Sequence, residues 1–305
     1  MALRIATFNL KDFFPPSGPE DQGIVGQKID LAADSLRRAR ADVIALQEVG
    51  GELMAKKLIE RVPELGYGPP VVGTQDKRGI CNAIFSRLPI LWSQVHQAKS
   101  LPFPRLVEGD PDPFAGRIPL RRGVVHVRID AGPLGEVDVL TAHFKSNLPA
   151  ALRSAEGKEL PDANLHAAGE SAIRSLVQRA AEALFVRGLV DEIFATSPDH
   201  AICVLGDLND GPDSLPVRLV RGIAPSPTTG TKHHLKPCAP PGAFSTFHGG
   251  GPTLIDHILL SDRLNEALKH FEAHNESLRD HGPHVVGGTQ ITVDSDHALC
   301  LAEVG

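Results

Sequence analysis

The sequence has no excess of positive charge. Its 305 residues carry 31 lysines and arginines against 37 aspartates and glutamates, a formal net charge of −6. Proteins that hold nucleic acid by charge alone present a strongly basic face, because their affinity comes largely from neutralising phosphates. The composition excludes such a global basic footprint, so any polyanionic substrate must be met locally.

Aromatic residues and cysteines are scarce, and long apolar runs are missing. Aromatic residues make up 5% of the chain, which leaves few platforms for stacking single-stranded bases. The 4 cysteines have neither the spacing of a metal site nor the density of a disulfide scaffold, so we expect free thiols. No run approaches the ~20 apolar residues of a membrane helix, which predicts that the chain has no transmembrane segment.

The chemistry-bearing residues extend over nearly the whole chain, from Asn9 to His297. Dividing the chain would separate residues that must meet in one site, and 42% hydrophobic residues can fill a large core. We therefore predict one domain over residues 1–305. The N-terminus passes directly into an apolar strand without a leader, which predicts a cytoplasmic protein; removal of a signal peptide would leave a secreted one.

Short apolar runs and amphipathic stretches indicate an α/β protein with hairpin-rich sheets. The predicted strands cover 4–8, 43–46, 83–85, 123–129, 137–141 and 201–205, and the predicted helices cover 28–40 and 163–195. Glycine and proline are concentrated in 101–113 and 215–251, which predicts two long surface loops.

Oxygen-bearing side chains stand at the ends of three apolar runs. Asn9, Glu48 and Asp296 supply amide and carboxylate oxygens, which Mg²⁺ prefers. For each residue alone, a solvated strand end or a turn cap is the better explanation. Together they predict a site for Mg²⁺ or Mn²⁺ at one sheet edge.

The segment Gly206-Asp207-Leu208-Asn209 follows a buried strand. In an extended segment Asp207 and Asn209 point to the same side, where they can hold a water and a phosphoryl oxygen together. A simple turn would also explain the segment, because Gly, Asp and Asn are turn residues. The preceding strand favours a catalytic role for both.

Asp256 lies in the apolar run Leu254–Leu260, where a carboxylate must be paired to offset its desolvation. We predict that Asp256 orients His297 and stabilises its imidazolium form. His257 points to the opposite face and is predicted to be structural. His143 also follows an apolar run; a backbone carbonyl could satisfy it, but beside a second histidine it is predicted to bind phosphate or donate a proton.

Local positive charge is available for substrate phosphates. We predict that Arg117, Arg122 and Lys145 contact them, with Arg121 and Arg128 completing a basic patch, unless these are ordinary solvated rim arginines.

These motifs resemble those of the endonuclease/exonuclease/phosphatase superfamily. The residues that carry the resemblance are Asn9, Gln47-Glu48, His143, Gly206-Asp207-Leu208-Asn209, Ile255-Asp256 and Ser295-Asp296-His297. The resemblance implies a four-layer α/β/β/α sandwich, with two mixed β-sheets flanked by helices and the site at one end. His143, which abasic-site endonucleases lack, and the segments Thr7–Phe14 and Ala142–Ser146 look most similar to deoxyribonucleases, sphingomyelinases and above all bacterial extracellular nucleases.

The predicted function is metal-dependent hydrolysis of phosphodiesters, foremost as an endonuclease on DNA or RNA. In this mechanism Asp207 accepts the proton of the attacking water, Asn209 orients water or phosphate, and the two histidines stabilise developing charge. A small-molecule or lipid phosphodiesterase or phosphatase also fits the motifs, and Leu101-Pro102-Phe103 is a candidate lipid-contacting loop. A catalytically silent binding module and a zinc hydrolase are weaker candidates. His233, His234, His281 and His284 lie in predicted loops without a compact ligand motif and are predicted to be surface residues. No protein partner is implied.

Overall fold

Strands form the centre of the molecule and helices its outside. The computed structural model describes residues 2–114, 116–224, 233–248, 251–278 and 293–305. The strands are β1 (Leu3–Phe13), β2 (Val43–Val49), β3 (Val71–Val72), β4 (Cys81–Ser86), β5 (Ile90–His96), β6 (Val124–Asp130), β7 (Glu136–Thr141), β8 (Leu152–Arg153), β9 (Glu159–Leu160), β10 (Ala201–Asp207), β11 (Lys236–Pro237), β12 (Thr246–His248), β13 (Gly251–Thr253), β14 (Asp256–Leu260), β15 (Leu268–His274) and β16 (Leu299–Val304). The helices are α1 (Gln22–Ala39), α2 (Glu52–Arg61), α3 (Leu165–Thr196), α4 (Leu215–Arg221) and α5 (Asp262–Asn265), and short 3₁₀ turns lie at Pro19–Asp21, Pro63–Leu65 and Gly132–Leu134.

Two six-stranded mixed sheets carry the fold. The first has the order β15-β16-β1-β2-β4-β3, and the second has the order β11-β14-β10-β7-β6-β5. In the first sheet β1 runs parallel to β2 and antiparallel to β16, so strands from opposite ends of the chain are neighbours. In the second sheet β10 runs parallel to β7 and antiparallel to β14.

The sheets stack face to face and helices cover both outer faces. Side chains such as Val43, Val127 and Leu205 form the apolar layer between the sheets. Helices α1 and α2 pack on the first sheet, and α3 and α4 pack on the second. These four layers confirm the predicted sandwich.

The first sheet is irregular where β1 and β2 end. Asn9 pairs with Gln47 and Phe13 pairs with Val49, so β1 has two more residues than β2 between the same pairings. Lys11, Asp12 and Glu48 adopt φ of 46°, 48° and 59° in this stretch. Positive φ is uncommon for residues other than glycine and is concentrated at functional sites. The bulge turns side chains of both strands toward one edge of the sheets.

Helix α3 is the longest element, and the structure confirms most of its predicted length. Asn164 begins it, since its side chain accepts a hydrogen bond from the backbone N–H of Ala167. Gly188 lies within the continuous helix and does not interrupt it. Within the described residues, no helix has the combination of length and apolar character that a bilayer crossing requires.

Two loop predictions need correction. The tract 215–251 contains α4, β11 and β12. Helix α4 forms there because Ser214 caps it and proline is accommodated in its first turn. Leu101 is buried in the core beneath α3, so its own side chain does not contact a lipid as predicted. The predicted free thiols are confirmed, since all 4 cysteines are free and buried.

Candidate active site

A cleft of about 450 Å³ opens at the edge where β1, β2, β7 and β10 end. Of the residues predicted to form the site, those that line the cleft are Asn9, Glu48, Arg122, His143, Lys145, Asp207, Asn209, Asp296 and His297. Asp256 lies behind this surface and is completely buried. The structure therefore brings these predicted site residues together at one edge of the sheets.

Asp256 and His297 form the predicted pair. His297 Nδ1 lies 2.8 Å from Asp256 Oδ2. Ser295 fixes the chain before this histidine, because its hydroxyl donates to the carbonyl of Asn9 at 2.6 Å and accepts from the N–H of His297 at 3.0 Å. Burial lowers the pKa of His297, but the charge of Asp256 and the hydrogen bond to it outweigh burial and raise the pKa to about 10. The ring is therefore an imidazolium at neutral pH.

Asp207 is the best-enclosed carboxylate that faces the cleft. Its Oδ2 accepts from Asn9 Nδ2 at 2.9 Å, and its Oδ1 accepts from the backbone N–H of Asn209 at 2.9 Å. Burial first, and then the charge of Asp256, raise the pKa of Asp207 to about 7. A carboxyl group with this pKa can take up and release a proton near neutral pH.

The geometry of Asp207 and Asn209 differs from the prediction of an extended segment. Asp207 is the last residue of β10, and Asn209 has a φ of 54° in a turn. The side-chain amide of Asn209 donates to the carbonyl of Phe144 at 3.0 Å. The turn itself, and not strand alternation, brings the two residues together at the cleft.

His143 lies in the cleft between Glu48, from the first sheet, and Asp207, from the second. Its Nε2 is 3.4 Å from Asp207 Oδ2 and 3.9 Å from Glu48 Oε1. Arg122 contacts both ring nitrogens, at 2.9 and 3.1 Å. Burial, followed by the positive charge of Arg122, lowers the pKa of His143 well below its ordinary value. The two cleft histidines therefore differ, with His143 neutral and His297 charged.

The proposed metal ligands have oxygen atoms that face the cleft. Oδ1 of Asp296 is buried without a hydrogen-bond partner, and Lys11 pairs with the other oxygen of that carboxylate. Glu48 accepts from the N–H of Asp12 at 2.7 Å through Oε2, which leaves Oε1 for another cation. The unpartnered oxygen and this hard donor set fit Mg²⁺ or Mn²⁺. A second group, Asp207, Asp256 and His297, offers ligand atoms within 4.8 Å of one another.

The predicted phosphate-contacting residues do not all reach the cleft. Arg122 and Lys145 line it, together with Arg121. Arg117 is exposed and donates to the carbonyl of Phe114, and it is not among the residues lining the cleft. Arg128 bonds to Asp138 elsewhere on the second sheet. The predicted four-arginine patch is therefore divided.

The loop histidines do not form part of the cleft. His233 and His234 do not line it, whereas His281 and His284 lie outside the described residues.

Several residues that line the cleft were not among the predicted site residues. They are Lys11, Asp12, Asp76, Arg78, Ser146, Arg153 and Glu159. Arg78 lies in a turn, where it pairs with Asp12 and approaches Glu48 at 3.9 Å. No strand end or motif marks Arg78, whereas Lys11 and Asp12 lie within the resembling segment Thr7–Phe14.

His257 has the structural role that was predicted. It is buried, and its Nε2 lies 2.9 Å from the carbonyl of Asp210. Arg179, buried on α3, bonds to the Asp210 carboxylate at 3.1 Å and to the carbonyl of Ser146 at 3.1 Å. Together these contacts tie the turn after β10 to the segment after β7.

The sequence matches a protein-family model over most of its length. That model describes the Endonuclease/Exonuclease/phosphatase family, and the match covers residues 25–297. This chain belongs to the Endonuclease/Exonuclease/phosphatase family. The resemblance found in the sequence motifs is thereby confirmed. The family includes metal-dependent nucleases and phosphatases and comprises hydrolases acting on phosphoester bonds. No curated protein matches the chain.

Solved structures of this family have the same fold. Truncated TDP2 from Caenorhabditis elegans shares 16% identity over 100% of this chain and 97% of its own, with a TM-score of 0.60. An endonuclease/exonuclease/phosphatase protein from Bacteroides vulgatus shares 15% identity over 100% and 99%, with a TM-score of 0.59. An AP endonuclease from Archaeoglobus fulgidus shares 14% identity over 98% of each chain, with a TM-score of 0.53. At these identities the likeness establishes the fold, and placement in the extracellular-nuclease branch stays a prediction.

Proposed function

We propose that this family member hydrolyses phosphodiesters with a divalent metal ion, foremost as an endonuclease on DNA or RNA. The observation that carries the proposal is the arrangement of His297, charged and held by Asp256, beside the cleft-facing Asp207. An acid and a base thus face the same cleft with pKa values that burial and charge have moved apart, as acid-base catalysis requires.

Asp207 acts as the general base in this proposal. Asn9 and Asn209 hold its two oxygens through separate hydrogen bonds, so the carboxylate keeps one orientation toward the cleft. With a pKa of about 7, it can accept the proton of the attacking water at neutral pH. The proton leaves water as its oxygen attacks phosphorus.

The two histidines stabilise the negative charge that develops on the phosphoryl and leaving oxygens. The imidazolium of His297 donates a hydrogen bond or a proton to the developing phosphoryl or leaving oxygen. Arg122 contacts the neutral ring of His143, which lies 3.4 Å from Asp207. This ring hydrogen-bonds to the phosphoryl group. Arg122 adds positive charge that is buried and therefore little screened.

Glu48 and Asp296, with Asn9, are the residues that hold Mg²⁺ or Mn²⁺. The metal ion supplies Lewis-acid stabilisation of phosphoryl charge when it is bound. Lys11, which pairs with Asp296 in this structure, balances the negative charge of that carboxylate. Lys11 is thus placed to tune how tightly Asp296 holds a cation.

The positive side chains of the cleft favour a substrate with more than one phosphate. Arg78, Arg121 and Arg153 add to Arg122 and Lys145 along its walls. These positive charges are clustered in the cleft. Because the whole protein has a net charge of −6, binding of a polyanionic substrate requires such a local cluster. A nucleic acid strand presents phosphates in series and matches such a row of cations.

One feature favours the second candidate, a phosphoester with an apolar portion. Leu148 also lines the cleft and is 68% exposed, and Leu152 is 51% exposed one residue before the cleft-lining Arg153. An apolar substrate group can cover these side chains and remove them from water.

A substrate panel separates the two candidates. Purified protein is incubated with plasmid DNA, RNA, p-nitrophenyl phosphate and sphingomyelin, each with Mg²⁺, Mn²⁺ or chelator, beside the Asp207→Ala variant. Metal-dependent plasmid nicking that the variant loses supports the endonuclease. Cleavage of sphingomyelin or the monoester without cleavage of plasmid DNA or RNA overturns the endonuclease and supports the second candidate.

A further inference from the structure

The layer between the two sheets is apolar along most of its length and becomes polar beneath the cleft. In β2, Val43 and Ala45 belong to the apolar layer, and Gln47 follows on the same face of the strand. In β7, Val139 belongs to this layer, and Thr141 follows on the same face. Gln47 and Thr141 are both completely buried. The catalytic proposal uses neither residue.

The side chain of Gln47 crosses this layer. Its Oε1 accepts a hydrogen bond from Oγ1 of Thr7 on β1 at 3.1 Å, and its Nε2 donates to Oγ1 of Thr141 on β7 at 3.0 Å. Thr7 is also completely buried. The first bond lies within the first sheet, whereas the second bond joins the first sheet to the second. Burying a polar group costs free energy unless it is hydrogen-bonded, and here both ends of the amide have partners.

Both ends of the bond between the sheets lead directly to the cleft. Glu48 follows Gln47 in β2, and His143 lies two residues after Thr141. Nε2 of His143 lies 3.9 Å from Oε1 of Glu48 across the cleft. The bond from Gln47 to Thr141 therefore joins two strands whose next functional residues face each other.

The site itself is divided between the sheets. Of the proposed metal ligands, Asn9 and Glu48 belong to the first sheet, and Asp296 pairs with Lys11 of β1. Asp207, the proposed base, ends β10 of the second sheet. Apolar contacts are non-directional, so they resist a small slide of one sheet along the other less sharply than hydrogen bonds do. A buried polar network with all its members satisfied specifies one arrangement.

We propose that Gln47 is a positioning residue, which holds the metal-binding side of the cleft at a fixed distance from Asp207 and His143. This inference rests on the function proposed for the cleft. Gln47 acts through Glu48 and Thr141, so it is not itself a catalytic residue. A displacement of about 1 Å in a site can lower the rate ~10²-fold, so loss of the bond between the sheets is expected to lower kcat by up to that factor.

Two threonine variants separate positioning from stability. Thr141→Val and Thr7→Val each remove one buried hydroxyl and one hydrogen bond to Gln47, and each keeps the shape of the side chain. Because each leaves one end of the amide without a partner, both should lower Tm by a similar amount. Only Thr141→Val breaks the bond between the sheets. With bis-p-nitrophenyl phosphate, kcat should therefore fall by up to ~10²-fold in Thr141→Val and much less in Thr7→Val.

A triple variant, Thr7→Val with Gln47→Met and Thr141→Val, replaces the whole network by apolar side chains of similar shape. Such a replacement can be nearly neutral for stability, so Tm should return close to that of the unchanged protein. If Gln47 positions the cleft, kcat stays low although Tm has recovered. Mn²⁺ affinity, measured by calorimetry, should be kept, because the proposed ligands lie on the side of the first sheet. A merely structural network would let kcat recover together with Tm.

A further measurement needs neither metal nor substrate. Asn9 Nδ2 donates to Asp207 Oδ2 at 2.9 Å, which is another hydrogen bond between the sheets. In NMR spectra of the metal-free protein, the side-chain amide protons of Asn9 report on this bond. We expect them to exchange faster with water in Thr141→Val and in the triple variant. Tyr67→Phe, which removes a hydrogen bond to the carbonyl of Ala41, is the control and should leave both this exchange and kcat unchanged.

Low kcat in a triple variant whose Tm has recovered supports the positioning role of Gln47. Equal kcat in the unchanged protein and the folded triple variant overturns it, as does a loss in Thr7→Val equal to that in Thr141→Val. If the triple variant does not fold, the two threonine variants decide. An unchanged protein without metal-dependent hydrolysis contradicts the proposed function instead. The exchange of the Asn9 amide then decides on Gln47, and equal exchange in every folded variant overturns the positioning role.

Discussion

His297 and Asp256 are joined by a 2.8 Å hydrogen bond between Nδ1 and Oδ2, behind the surface of the cleft. Asp256 is completely buried, so its negative charge acts on the imidazole through a medium of low dielectric. This charge raises the pKa of His297 to about 10 although burial alone would lower it. The pair thus keeps a charged donor next to Asp207 at neutral pH.

Replacing Asp256 by Asn preserves the shape of this contact and removes its charge. We expect the pKa of His297 to fall and activity at neutral pH to drop ~10²–10⁴-fold, as for loss of a general acid. Asp256→Asn also removes a charge that raises the pKa of Asp207, so the base stays ionised to lower pH. Because the imidazolium still forms there, part of the activity should return on moderate acidification. The measurement is the pH profile of kcat. Adding His297→Asn should cause little further loss, and additive losses would contradict a shared role.

The rate should depend on the ionisation of Asp207. As a base it must be unprotonated, and its pKa is about 7, so kcat should fall about tenfold per pH unit below that value. His297 stays protonated through this range, so the acidic limb belongs to Asp207. The pH profile with a chromogenic diester checks this. A rate that stays flat from about pH 5 to about pH 8 would argue against Asp207 as the base.

Gly206 is required immediately before Asp207. It has a φ of +137°, and an added Cβ would lie 2.0 Å from the carbonyl oxygen of Ala142. The conformation alone costs about 1–3 kcal/mol for another residue, so with this clash Gly206→Ala should lower the free energy of unfolding by at least ~3 kcal/mol. Gly211 has open space around its Cβ position, so Gly211→Ala is the matched control, expected within about 0.5 kcal/mol. Denaturant titration compares them; equal stabilities would refute the clash.

Arg179 should stabilise the loops that form the cleft. Its guanidinium is buried and bonds to Asp210, so Arg179→Met leaves that carboxylate without its partner. Loss of one member of a buried pair typically costs about 3–5 kcal/mol. Adding Asp210→Asn should recover part of the loss, because the unpaired charge is then removed. Thermal unfolding of both variants tests this, and a double variant less stable than Arg179→Met would contradict it.

Metal binding should depend on the cleft carboxylates. We expect Asp296→Asn and Glu48→Gln to weaken Mg²⁺ or Mn²⁺ binding and to raise the metal concentration that gives half-maximal activity, because each removes a charged oxygen ligand. Calorimetric titration of chelator-treated protein gives the affinities. Glu159→Gln, an exposed carboxylate at the cleft rim, is the control. Unchanged affinity in both ligand variants would remove Glu48 and Asp296 from the metal site.

The parts of the fold predictable from sequence are those with a strong burial signal. The run before Gly206 is wholly apolar and forms the central strand β10. Asp256 was paired with His297 because a carboxylate in an apolar run needs a partner, and the pair is present. The missed helix α4 lies in a tract rich in glycine and proline, although Ser214 followed by Pro216 is a helix-start signal.

Some features of the cleft depend on contacts that no local pattern records. Lys11, Asp12 and Glu48 owe their direction to a bulge between β1 and β2, and strand periodicity does not reveal an extra pair of residues. Arg78 reaches the cleft from a turn that backbone hydrogen bonds of Asp76 with Gly79 and Ile80 hold. Arg117 and Arg122 are close in sequence, yet only Arg122 lines the cleft, while Arg117 is exposed and bonds to the carbonyl of Phe114.

The most direct test of the central claim is hydrolysis of bis-p-nitrophenyl phosphate by chelator-treated protein, before and after addition of Mg²⁺ or Mn²⁺. The same assay is applied to Asp207→Asn, which keeps the shape of the side chain and removes its basicity. We predict turnover that requires the metal and falls ~10²–10⁴-fold in the folded variant. Turnover that is equal with chelator, or equal in folded Asp207→Asn protein, would contradict the proposed metal-dependent phosphodiesterase.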